Sequence, residues 1–127
     1  MKDLARLGFA LTVATWTALA GDFPTITLTE LKQAVAEKRV ALIDVNGTLV
    51  WDQGHIPGAI GFLNDQERLA EKLPADKGAL VVAYCLDEGC GAYRAGAKAA
   101  RRLGYTDVRH FPGGITAWKA AGERTEK

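Results

Sequence analysis

Two cysteines, two histidines and a formal charge of +1 are what this 127-residue sequence has in short supply. Two cysteines are too few for a disulfide-built scaffold. Together with His55 and His110 they do not reproduce the C-x2-C or H-x3-H spacing of a zinc site. No metal centre and no organic cofactor are therefore expected, and the histidines read as residues bonded to backbone near sheet ends. The near-zero charge gives no electrostatic grip on nucleic acid or on an anionic membrane. No internal repeat or low-complexity tract is present, and no apolar run reaches the roughly 20 residues that span a bilayer. What remains is length for one domain with one core. The composition, 48% hydrophobic and 24% charged, is ordinary for a soluble globular protein.

The most apolar stretch lies at the start. MKDLAR sets Lys2 and Arg6 against Asp3, and LGFALTVATWTALA, residues 7–20, has no charge and closes on Ala18-Leu19-Ala20. A positive start, a short apolar run and an A-x-A close read as a secretory signal peptide over residues 1–20, ahead of a single domain over 21–127. An amphipathic N-terminal helix is the alternative, but a helix lying on a domain should show a polar face, and this run shows almost none. The expected location is the periplasm, without a stable membrane anchor after cleavage; an unrecognised leader would leave the chain in the cytoplasm. Export would expose the cysteines to an oxidising compartment, where a disulfide persists.

Along the remaining chain, ITLTELKQAVAEKR predicts a helix with Thr27 and Glu30 at capping-box spacing. VALIDV, 40–45, reads as a buried strand ended by Asn46-Gly47. Gly54, Pro57, Gly58 and Gly61 then forbid a long helix, and DQERLAEKL, 65–73, predicts a short one before Pro74. ALVVAY, 79–84, is apolar throughout, as a central parallel strand covered on both faces should be. AYRAGAKAARRLG predicts a helix stopped by Gly104, VRHF a short strand, and ITAWKAAG a final helix closed by Gly122. Strands alternating with helices imply a three-layer α/β domain around a mostly parallel sheet.

Both cysteines fall in YCLDEGCGAYR, 84–94. In open parallel sheets ligands bind beyond the carboxyl ends of the strands, where Cys85 stands. The loop after it holds Gly89 and Gly91 and leads into a helix. Inward backbone N–H groups and a helix N-terminus both favour thiolate over thiol, and the thiolate is the nucleophile.

LIDVNGTLVWDQGHIPGAI, the strand ending in Tyr84-Cys85, and FPGGITAW together resemble the rhodanese-like domain family over about residues 25–122. The resemblance implies a single α/β unit with a five-stranded parallel sheet. It also implies a sulfurtransferase in which Cys85 carries sulfane sulfur as a persulfide. The sulfur would come from thiosulfate or a persulfide donor and pass to cyanide, a thiol or a partner protein. Leu86, Asp87, Glu88, Gly89, Cys90 and Gly91 would form the substrate-binding loop.

Two departures stand out. The segment from Cys85 to Arg94 is C-x8-R, about two residues longer than the family loop, and it lacks the C-x5-R spacing of the phosphatase relatives. Asp87 and Glu88 would also repel a dianion, thiosulfate included, which points to a less charged donor. Asn46 stands where the family's D-V-R motif has its arginine.

Cys90 reads either as a resolving thiol for Cys85 or as a small buried residue under the loop. A non-catalytic or redox-sensing module using a Cys85–Cys90 disulfide is the rival to the enzyme. Arg94 is either an anion contact or a solvated helix-surface residue. Asp44 is expected to fix the turn after its strand, Trp51, Phe111 and Trp118 to fill core or rim, and Tyr84 to face away from Cys85.

Overall fold

The computed structural model describes residues 23–127; the expected leader, residues 1–20, lies outside them. Thr27 opens helix α1 (Leu28–Ala36), its side chain accepting the Glu30 N–H at 3.1 Å. There follow β1 (Ala41–Asp44), α2 (Thr48–Asp52) and β2 (Ile60–Gly61), then α3 (Phe62–Asp65), a 3₁₀ turn (Gln66–Arg68) and α4 (Leu69–Lys72). The chain closes with β3 (Leu80–Tyr84), α5 (Tyr93–Arg102), β4 (Asp107–His110) and α6 (Gly114–Ala120). Among the described residues no helix is long and apolar enough to cross a membrane.

The four strands form one parallel sheet in the order β2-β1-β3-β4. A five-stranded sheet was expected. In place of a fifth strand a single parallel bridge joins Thr25 to His110. His110 donates to the Pro24 carbonyl at 2.8 Å and accepts from Ile26 at 2.9 Å. Pairing stops there because Pro24 has no N–H and Thr27 already caps a helix. The predicted helix over 65–73 is likewise divided, into α3, the 3₁₀ turn and α4, none of which has a side-chain cap bond. A 2.9 Å ion pair between Asp65 and Lys72 spans the joint.

Strand alternation sorts the core into two layers. Ile43, Val45, Val81, Ala83, Cys85 and Val108 face α5 and the α3–α4 segment. Leu42, Val82 and Tyr84 face α1 and α6, where Ile26, Leu31, Ile56, Phe111, Ile115 and Trp118 cover them. Tyr84 thus points away from Cys85, as period-two alternation requires.

α5 lies so close to β1 that a Cβ on Gly96 would meet Ile43 Cγ2 at 2.7 Å and Val45 Cγ1 at 2.9 Å. Gly96→Leu should therefore lose about 1–3 kcal/mol of unfolding free energy through overpacking, measured by urea titration against the parent.

Candidate active site

Strand β3 ends at Tyr84 and delivers Cys85 to the carboxyl edge of the sheet, next to β1 on one side and β4 on the other. The residue is 1% exposed. Its sulfur is bonded to that of half-buried Cys90, with Cα atoms 6.2 Å apart, inside the range a disulfide tolerates. The Cys85–Cys90 disulfide that the sequence offered as one alternative is formed here.

The loop folds on itself. Asp87 Oδ1 accepts the Gly89 N–H and the Asp87 carbonyl accepts the Cys90 N–H, both at 3.1 Å. The expected cradle of inward amides from 86 to 91 therefore lacks two members in this closed state. Cys85 Sγ lies instead 3.2 Å from the Cys90 carbonyl oxygen, which offers nothing to a negative charge. A thiolate at Cys85 requires reduction of this bond.

The loop is held from below by the Gly113-Gly114 turn. Ile115 donates to the Cys85 carbonyl and Thr116 to the Leu86 carbonyl, each at 3.0 Å. Gly114 sits at φ +59, and a Cβ there would stand 2.4 Å from the Cys85 oxygen. Only glycine meets both demands. The carboxyl-edge cleft beside the loop, about 460 Å³, runs from Asp87 and Glu88 to Thr116, Ala117 and Ala120. A larger cavity of about 610 Å³, bordered by Lys32, Val35, Trp118 and Arg124, lies on the α1–α6 side and does not include the cysteines.

Arg94 is half-buried rather than a solvated helix-surface residue. Its guanidinium stands 4.9 Å over the Tyr93 ring, and a Cβ on Gly91 would meet its Nη1 at 2.8 Å. It therefore lies against the cysteine loop. Tyr93 also stacks on His110, ring centroids 3.3 Å apart. His110 is buried with Nε2 unpartnered. Burial first, and the Arg94 charge second, hold its pKa down at about 4, so it is neutral at pH 7. The sequence carried no sign of this Tyr93–His110 stack. His55 is the backbone-anchored histidine that was expected: its Nδ1 lies 3.3 Å from the Trp51 carbonyl, its ring stacks on Trp51, and its main chain pairs with Glu126. Among the described residues no group of three or more His, Cys, Asp or Glu side chains could hold a metal ion.

At the end of β1, Asp44 Oδ1 accepts the Asn46 N–H at 2.7 Å, fixing the turn. Burial, together with the nearby Asp44 carboxylate, keeps the Tyr84 hydroxyl protonated far above the usual tyrosine range. That oxygen accepts the Ile56 N–H at 3.1 Å. Asp44 Oδ2 and Asn46 Nδ2 are buried without hydrogen-bond partners.

Strand, cysteine loop and double-glycine turn are thus assembled at one edge, and the family profile described as rhodanese-like domain matches residues 27–121. The chain belongs to the rhodanese-like family. It is 40% identical over 116 residues to the protein named probable adenylyltransferase/sulfurtransferase MoeZ of Mycobacterium tuberculosis, with 87% of this chain and 28% of that one aligned. It is 33% identical over 135 residues to the HTH-type transcriptional regulator Rv0324 of the same organism, with 95% and 58% aligned. The chain thus spans well under two thirds of either relative. Among solved rhodanese-like structures, the Pseudomonas aeruginosa thiosulfate sulfurtransferase superposes with TM-score 0.68 at 29% identity, covering 84% of this chain and 20% of that one. The human single-domain sulfurtransferase TSTD1 gives 0.60 at 28%, covering 78% and 97%.

Gly114→Ala should cost at least about 1–3 kcal/mol, the usual scale of backbone strain, and should raise the alkylation rate of the reduced cysteines by loosening the loop. Histidine ordinarily titrates near 6.5 and His110 near 4, so across that window the unfolded chain binds more protons. The stability tied to His110 is complete above pH 6.5 and is lost as pH falls toward 4. His110→Phe keeps the stack on Tyr93 and removes the titration. Its melting temperature should fall less steeply than the parent's across that window.

Proposed function

We propose that this rhodanese-like chain is a sulfurtransferase that carries sulfane sulfur on Cys85. The carrying observation is the placement of Cys85 at the carboxyl end of central strand β3, its carbonyl clamped by Ile115 and the Gly113-Gly114 turn. A donor persulfide, R–S–SH, presents its outer sulfur to the Cys85 thiolate. The new sulfur–sulfur bond forms as the old one breaks, leaving Cys85–S–SH and RS⁻. An acceptor thiolate or cyanide then attacks the same outer sulfur and leaves as a new persulfide or thiocyanate, returning Cys85 as thiolate. Transfer between sulfurs needs little proton movement, which suits a site whose nearby His110 is neutral.

Cys90 supplies a second exit. Its thiolate attacks the inner sulfur of the Cys85 persulfide, forming the disulfide and expelling hydrosulfide. The sulfane sulfur is reduced as the two thiols are oxidised, and an external thiol reopens the bond. The disulfide itself favours one second reading, a redox sensor in which this bond is the signal and turnover is negligible. The Cys85–Cys90 disulfide suits an exported, oxidising location.

After reduction and a stoichiometric persulfide donor, the intact mass of Cys90→Ser should rise by one sulfur atom, whereas the parent should pass on to the disulfide and release hydrosulfide. Cys85→Ser should abolish both the adduct and thiocyanate formation, whereas Cys90→Ser should keep transfer and accumulate the persulfide. No adduct in Cys90→Ser and no hydrosulfide from the parent, with a disulfide that forms and reopens, would leave the sensor instead. Asp87→Asn with Glu88→Gln should lower the KM for thiosulfate several-fold, because two like charges are removed from the approach of a dianion. An unchanged KM would show that the acids do not govern donor choice.

A further inference from the structure

We infer that the edge of the sheet bearing Cys85 is a docking surface for a protein whose reactive cysteine lies among apolar and basic side chains. This rests on the sulfurtransferase reading and names its partner class. Among the described residues only three large apolar side chains are exposed: Leu49 at 81%, Leu63 at 53% and Leu86 at 41%. A scattered exposed leucine needs no explanation. These three lie in segments that leave the same end of neighbouring strands. Leu63 follows β2, Leu49 follows β1 and Leu86 follows β3, and those strands are consecutive neighbours running in the same direction. The leucines therefore rise from one edge, over three strands spaced about 5 Å apart, and Leu86 is covalently next to Cys85.

The same edge is acidic although the chain is not. The eight residues after each strand hold Asp52, Asp65, Glu67, Asp87 and Glu88 against one base, Arg68. Arg68 is paired with Glu71 and Asp65 with Lys72. Arg94, from the first turn of α5, is the other cation that reaches the cysteine loop. Asp87 and Glu88 are exposed and flank the open cleft beside that loop. A wide acidic cleft does not enclose a small dianion. It does suit lysines or arginines at the rim of a protein interface, around an apolar centre. The partner's thiol then meets the outer sulfur on Cys85 in the exchange described above.

The probe is a short fluorescein-labelled peptide with leucines and lysines around a central serine, compared with a twin in which glutamates replace the lysines. Fluorescence anisotropy with the full chain should show the lysine peptide binding about tenfold more tightly than its twin, with the difference shrinking as salt rises from about 0.05 to 0.5 M. Leu49→Ser with Leu63→Ser, both solvent-exposed and away from the cysteines in sequence, should weaken the lysine peptide at least about fivefold, as loss of apolar anchors does. The same variant should leave thiocyanate formation unchanged. Equal affinities for the two peptides, no binding of either, or binding indifferent to the double serine variant would overturn the inference. Discriminating binding without any sulfur transfer would uphold the surface and refute the sulfurtransferase reading.

Discussion

Two hydrogen bonds hold the chemistry of this domain in place: the Ile115 and Thr116 amides to the carbonyls of Cys85 and Leu86. Each contributes only about 1 kcal/mol net, but a buried carbonyl left without its donor costs more than the bond yields. The approach is possible because Gly114 has no side chain and a left-handed backbone. Strand β3, the cysteine loop and α6 are therefore registered against one another at the atom that matters. The loop can change its covalent state while its root stays fixed.

That arrangement separates support from reactivity. The root of the loop is bonded to α6, whereas the span from Asp87 to Cys90 is held by a local Asx turn and the disulfide. The amides of Gly89 and Cys90 are occupied as long as this turn persists. Reduction releases the covalent link, and breaking the turn frees both donors for an anion.

Much of this was legible in the residues. ALVVAY announced a doubly covered strand, and alternation along it placed Tyr84 and Cys85 on opposite faces. FPGGITAW was legible as a family motif, but the support that its paired glycines give the cysteine loop was not. What was hidden depended on contacts between distant segments. The missing fifth strand follows from Pro24 and from a helix cap three residues later, a competition that periodicity does not resolve. The break within 62–72 has no breaker residue to announce it. Arg94 resembled any surface arginine of a basic helix, because its seat is the bare Cα of Gly91. The surroundings of Asn46 also needed coordinates: Asp44 Oδ2 and Asn46 Nδ2 are each buried without a hydrogen-bond partner.

The margins of the sheet bear on how the protein behaves in a crowded solution. One border is β2, two residues long; the other is β4, shielded by the Thr25 bridge and carrying the Asp107–Arg109 ion pair at 2.8 Å. Brief, charged borders give a foreign strand little to template on. The flanks of the domain thus resist the lateral growth that leads to fibrils, whatever the ends of its strands display.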